Sequence, residues 1–203
     1  ASRSDKFATN YSWKNLTLAP YYTLHHTRVS NYFYQATVET YLNSEWAKKE
    51  AAVLALDART ISFIATGEQQ SEAGVTSWST DVHGSWSDEN YRSAEDKAMG
   101  WVQYVLANLE LESKGLSIML RFARNDAGRR GAIYVNDALL DVFSINDGMG
   151  TVDGNFVNYE IALPESFVYN EKGEVNDSFT LKVVGSKSTY YPSLYFVRLM
   201  KET

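Results

Sequence analysis

From Val38 onward apolar positions recur at helical spacing: Val38, Leu42, Trp46, Val53 and Leu54 share one stripe, while Glu45, Lys48, Lys49 and Glu50 take the other side. Thr37 fits an N-cap and Glu39 the first turn, where negative charge suits the helix dipole. The pattern predicts a helix over 37–59, with Trp46 docking it on a neighbour. At Thr60 the period drops to two, because Thr60-Ile61-Ser62-Phe63-Ile64 is alternating and β-branched. Beyond it the chain reads as short strands over 101–106, 116–122, 132–135, 139–145, 156–163, 179–184 and 194–200. Trp101, inside an alternating run, is assigned to the core. Asn136-Asp137 tolerates positive φ, so 132–145 is read as a tight hairpin.

The two periodicities meet at Gly67-Glu68-Gln69-Gln70-Ser71-Glu72, which is almost free of apolar character. The segment after it, Ser71 to Asp88, is rich in Ser, Thr and Gly and holds Trp78 and Trp86 either side of His83. It is either a functional loop or a pair of short edge strands with packed tryptophans. Residues 1–36 are read as an extended arm turning at Pro20, the end of a preceding domain; 37–59 as a connecting helix; and 60–203 as the main domain. Seven or eight strands at these spacings, behind one helix, predict a mainly β protein: an antiparallel β-sandwich of jelly-roll or galactose-binding-like type.

Composition sharpens this picture in a few places. Among 203 residues are 14 Tyr, 9 Phe and 5 Trp, flat rings with a polar edge that suit sheet surfaces and sugar clefts alike. The net charge of −6, with no run of positive residues, argues against nucleic acid as a partner. Zero cysteines exclude disulfides, thiolate metal sites and cysteine nucleophiles. No stretch approaches the ~20 apolar residues of a membrane span. The polar start Ala1-Ser2-Arg3-Ser4-Asp5 is not a signal peptide, which leaves a cytosolic protein or a mature or excised piece. His25 and His26, as neighbours on a strand, point to opposite faces and make a poor metal pair. Asn15-Leu16-Thr17 fits the glycosylation pattern. Gly148, Gly150 and Gly154, with Asp147 and Asp153, match neither a phosphate fingerprint nor a calcium loop and read as a hairpin end.

Several motifs in order carry a family resemblance. Pro20-Tyr21-Tyr22-Thr23-Leu24-His25-His26-Thr27-Arg28 is followed by the Lys/Glu/Ala-rich helix, Arg59-Thr60 and Gly67 to Glu72. Then come Tyr91-Arg92-Ser93-Ala94, Gly100-Trp101-Val102-Gln103-Tyr104, Asn125-Asp126-Ala127-Gly128-Arg129 and Leu194-Tyr195-Phe196-Val197-Arg198-Leu199. Over about 19–200 this set resembles the C-terminal region of β-L-arabinofuranosidase-like proteins of glycoside hydrolase family 127. The chain departs from that pattern at His25-His26, where relatives carry His-Asp, and at Val29 and Ala123, where they carry aromatics. The resemblance implies a module that follows an α-helical catalytic barrel, in a periplasmic or extracellular protein acting on plant glycans. It also implies no activity in this chain, since the barrel and the zinc-held cysteine nucleophile of that family have no counterpart in these 203 residues.

Three functions compete. The first is a noncatalytic carbohydrate-binding module, with Trp78, Trp86, Tyr190 and Tyr191 as stacking platforms and Arg92 and Asp126 as polar partners. No cofactor is expected, structural calcium being the one metal left open by analogy with sugar-binding sandwiches. The second is docking on the parent barrel, or homo-oligomerisation, through an aromatic surface. The third is a hydrolase using paired carboxylates such as Glu68 and Glu72, which would share a face on a strand. That pair is equally explained as a capping turn.

Overall fold

Ser44 opens the first helix among the described residues because its Oγ accepts the backbone N–H of Ala47 at 3.1 Å, satisfying one donor that the first turn leaves free. In the computed structural model, which describes residues 44–202, this helix is α1 (Glu45–Arg59), with Glu45 at its positive end and Arg59 at its negative end. Its described start is therefore capped by Ser44. The arm at 1–36, His25, His26, the cap Thr37, Val38 and Leu42 lie outside the described residues. The chain divides into two units, residues 1–58 and 59–203.

The second unit is an antiparallel β-sandwich of two sheets. Its strands are β1 (Thr60–Ala65), β2 (Thr76–Trp78), β3 (Val82–Trp86), β4 (Glu89–Ser93), β5 (Trp101–Ala107), β6 (Ser117–Ala123), β7 (Arg130–Val135), β8 (Ala138–Ser144), β9 (Thr151–Asp153), β10 (Phe156–Ala162), β11 (Ser178–Gly185) and β12 (Leu194–Met200). One-turn helices α2 (Gln69–Glu72) and α3 (Glu165–Val168) interrupt them. The larger sheet runs β3-β4-β12-β6-β10-β9, with β1 also on β12; the smaller runs β2-β5-β11-β7-β8. Eight of these strands fall in the predicted runs, β2 and β3 are the pair of short edge strands that was one of the two readings of 71–88, and β4 and β9 are too short and polar to show a period.

The inner faces obey the period of two. On β5 Val102, Tyr104 and Leu106 are fully buried, and on β11 Phe179, Leu181 and Val183 are too. They meet Ile118, Leu120 and Phe122 of β6 and Val197 and Leu199 of β12 in one core. β6 is buried on both faces, so its run carries no polar alternation. Trp101 corrects its core assignment: it stands out of phase with Val102 and Tyr104, half-buried on the outer face, with Lys182 Nζ 4.5 Å from its ring centre. The β7–β8 hairpin turns at Asn136 (φ 48°) and Asp137 (φ 63°), the left-handed pair that matches strand twist. β2 and β3 are the neighbouring edge strands of the two sheets, which leaves the cleft between them open to the segment Gly67–Glu72.

Candidate functional site

The cleft is built from the apolar-poor segment. Gly67 turns at φ 74°, and a Cβ there would lie 2.5 Å from the backbone oxygen of Tyr91, so only glycine lets the chain cross β4 this closely. The single turn α2 then delivers Glu72, 5% exposed, against Arg92 of β4, 6% exposed. Arg92 Nε donates to both Glu72 oxygens at 2.8 and 2.9 Å, and Nη2 donates to Oε2 at 2.5 Å. On its other side Nη1 donates to Asp81 Oδ1 at 2.6 Å, and Asp81 also meets His83 Nδ1 at 3.1 Å. The guanidinium carbon sits 4.0 Å from the ring centre of Trp78, giving a cation–π stack on β2.

Around this stack lies a cavity of about 510 Å³ lined by Gly67, Gln69, Thr76, Trp78, Asp81 and His83 among others. Several hydrogen-bonding valences remain free in it. Arg92 keeps one N–H on each terminal nitrogen, and Asp81 keeps Oδ2. Thr76 Oγ1, by contrast, is closed off from solvent and has no hydrogen-bond partner among the described residues. The Arg92 hydrogen bond, then the one from His83, holds the exposed Asp81 carboxyl below its ordinary pKa. Burial works against the Arg92 charge, but the bonds to Glu72 and Asp81 outweigh it and raise its pKa. Burial, then the Glu72 charge, pushes the Tyr104 hydroxyl beneath the cleft well above its usual value. The cleft thus offers an aromatic plane and fixed donors and acceptors at one wall.

The predicted residues fall in three places. Trp78 and Arg92 come together here. Trp86 does not: it is half-buried and meets Phe156 edge-on at 5.6 Å, beside Tyr195, on the outer face of the larger sheet. Tyr190 stands 53% exposed at the β11–β12 loop, but its neighbour Tyr191 is 1% exposed, its hydroxyl donating to Val183 O at 2.9 Å. Tyr191 is therefore a core residue and no platform. Asp126 is likewise structural: at 2% exposed it accepts from Ser193 N at 2.6 Å and pairs with Arg129 at 3.0 Å. Burial raises its pKa, against the lowering by Ser193 and Arg129. Glu68 and Glu72 follow a helical turn, Glu72 N bonding to Glu68 O, so the strand geometry supposed for a catalytic pair does not occur. Glu72 is moreover committed to Arg92. In the glycine loop, Asp147 pairs with Arg124 and Asp153 with Arg121. Among the described residues no group of three His, Asp or Glu could hold a metal.

Residues 55–200 match a family model described as a family of unknown function, DUF6805. The chain belongs to that family. No curated protein matches it. Among solved structures, similarity is found to a family 35 carbohydrate binding module from an environmental isolate, at 14% identity and TM-score 0.45, covering 69% of this chain and 93% of that one. The carbohydrate binding module of Cellvibrio mixtus lichenase 5A in complex with cellotriose is similar at 14% identity and TM-score 0.46, with 71% and 99% covered. An exo-β-1,3-galactanase from Phanerochaete chrysosporium with β-1,3-galactotriose is similar at 17% and 0.44, with 69% and 29% covered.

Reasoning from the sequence missed Asp81, His83 and Thr76 as members of the DUF6805 cleft. They sit on or beside two strands of three and five residues, where hydrophobic alternation leaves no trace. The usable signal was Gly67 followed by an acid and, at 92, an arginine inside an otherwise uncharged-looking strand end.

Proposed function

We propose that the sandwich is a noncatalytic carbohydrate-binding module, carried by a glycoside hydrolase that acts on plant glycans outside the cytoplasm. The observation that supports this reading is the Trp78–Arg92 stack in a cleft of about 510 Å³. Sugars are held by CH faces on an aromatic ring and by a few fixed hydrogen bonds, and the free valences of Arg92 and Asp81 beside the 36%-exposed Trp78 have that form. The commitment of Glu72 to Arg92 speaks against the Glu68–Glu72 hydrolase. The parent is proposed as a family 127-like protein on the motif resemblance alone. Binding of the purified chain to arabinose-containing and other plant polysaccharides is the test. Trp78→Ala should weaken it about tenfold or more while the far-ultraviolet circular dichroism is unchanged. Equal binding by the variant would remove the cleft from the proposal.

One observation supports docking as a second role. Buried Asn108 holds the β5–β6 loop, its Nδ2 donating to Glu112 O and Asn176 O, and the loop presents Leu109, 83% exposed, and Leu111, 56% exposed. Leu109→Ser with Leu111→Ser should release the module from its parent barrel in a pull-down, leaving sugar binding intact. Retention of the variant on the barrel would rule this role out.

A further inference from the structure

On the outer face of the smaller sheet, away from Trp78, a groove of about 550 Å³ runs over β7, β8 and β11. Its floor and walls are Ala132, Tyr134, Val142 and Val184, with Val142 66% exposed. Its rim carries Arg130 and Lys187, and no acidic side chain lines it although the chain as a whole has a charge of −6. Both cations are exposed, and neither has an ion pair recorded among the described residues. The Arg130 backbone is bound to the loop that carries Lys187, Ser186 N donating to Arg130 O at 3.0 Å and Arg130 N donating to Thr189 Oγ1 at 3.0 Å. The rim therefore carries two cations on neighbouring, hydrogen-bonded segments.

The adjoining loops extend the same chemistry. Tyr190 has Lys97 Nζ 4.6 Å from its ring centre and the Arg129 guanidinium carbon at 5.9 Å. Lys97 (φ 55°) and Met99 (φ 55°) are in left-handed backbone, a conformation that costs energy for residues with a side chain. That strain is held by bonds from Lys97 N to Thr189 O, Gly185 N to Gly100 O and Tyr191 N to Asp96 Oδ1. The strained loop sets Lys97 beside Tyr190 and Met99 on the wall of the groove. An apolar channel bordered by cations and leading toward an exposed ring fits a chain molecule that is flat, partly apolar and negatively charged.

We propose that this groove binds a saccharide bearing an anionic substituent, its sugar faces on Val142, Ala132 and Tyr134 and its charged group on Arg130 and Lys187. The proposal rests on the carbohydrate-binding reading above but uses a different surface. The charged group is a carboxylate or a sulfate ester, and either is met by the same cations.

The test is calorimetric titration of the full chain with three probes: an oligogalacturonide, a sulfated galactan oligosaccharide and a neutral arabinan oligosaccharide. The variants are Arg130→Ala with Lys187→Ala, Val142→Glu, and Trp78→Ala; the groove substitutions are all at exposed side chains. The expected result is that at least one anionic probe binds, about tenfold more weakly in the double variant and in Val142→Glu. Its affinity should fall with added salt and be unchanged by Trp78→Ala. Which of the two anionic probes binds identifies the group. Anionic probes that do not bind, or that bind equally to the groove variants, would overturn the proposal. Neutral binding that needs Trp78 would then leave the carbohydrate module standing, and anionic binding without it would leave the groove as the site.

Discussion

Two adjacent tyrosines show how little a residue type says about its role. Tyr190 and Tyr191 lie in one polar loop, yet one is 53% exposed and the other 1%, with its hydroxyl on a backbone oxygen. Burial pushes the Tyr191 hydroxyl far above its ordinary pKa, as expected of a group that stays neutral. Tyr191→Ala should therefore cost about 3–5 kcal/mol in denaturant unfolding, and Tyr190→Ala within about 0.5 kcal/mol. Similar losses in both would contradict this assignment. Arg92 follows a harder rule, because its charge is buried against Glu72 and exposed toward Asp81. Glu72→Ala strands that charge and should cost roughly 3–5 kcal/mol, whereas Asp81→Ala removes only a solvent-screened partner and should lower the melting temperature much less. Equal losses would mean that Glu72 does not anchor the guanidinium. The candidate site was legible here only as residue types; Trp78 and Arg92 were named apart, and nothing in their spacing of fourteen positions says that they stack.

At the scale of elements, legibility followed length and periodicity. β5 and β11 are seven and eight residues long and show the alternation of buried and less buried positions, whereas β6 and β12, buried on both faces, show as largely apolar runs. The β7–β8 turn was legible for a different reason, since Asn136 and Asp137 are the side chains that tolerate left-handed backbone. β4 and β9 were not, and 71–88 offered the edge strands β2 and β3 only beside a loop, because strands of three to five residues are too short for a period to show. The turn at Gly67 makes a testable case. Gly67→Ala places a methyl 2.5 Å from the Tyr91 oxygen and forces positive φ on alanine, so α2 must shift and Glu72 must leave Arg92. Thermal unfolding should drop by about as much as in Glu72→Ala, with the double variant little worse than either alone. Additive losses would show that the turn and the ion pair are independent.

At the scale of the molecule, the chain crosses between sheets at most connections, and among the described residues only β3–β4, β7–β8 and β9–β10 are consecutive pairs. β12 lies between β6 and the β1 and β4 side of the larger sheet, so that sheet cannot close until β12 is in place. Acid should act on this unit through its carboxylates. Asp81 and Asp147 are held low by hydrogen bonds from Arg92 and Arg124, and Glu160, despite burial, by bonds from Arg59 and Ser117. Groups lowered in the fold contribute stability above their unfolded pKa and lose it as pH falls through the folded one. Asp126, raised by burial, has the opposite sign. With Glu95 also held low by the Ser79 and Thr80 hydroxyls, four groups against one predict that the guanidinium chloride midpoint falls as the pH is lowered below about 4. A midpoint that stays level or rises there would refute the assignment.

The sequence by itself determined the class of fold, because a period of two repeated in long strands can be satisfied only by sheets that bury one face against each other. It also determined the hairpin at 136–137 and the helix ending at the first strand. Tertiary structure alone decided which aromatic rings reach solvent, that Glu72 serves Arg92, and that Arg130 and Lys187 border one groove. Those are contacts between residues far apart in the chain, and they depend on strand order and register, which local patterning does not encode.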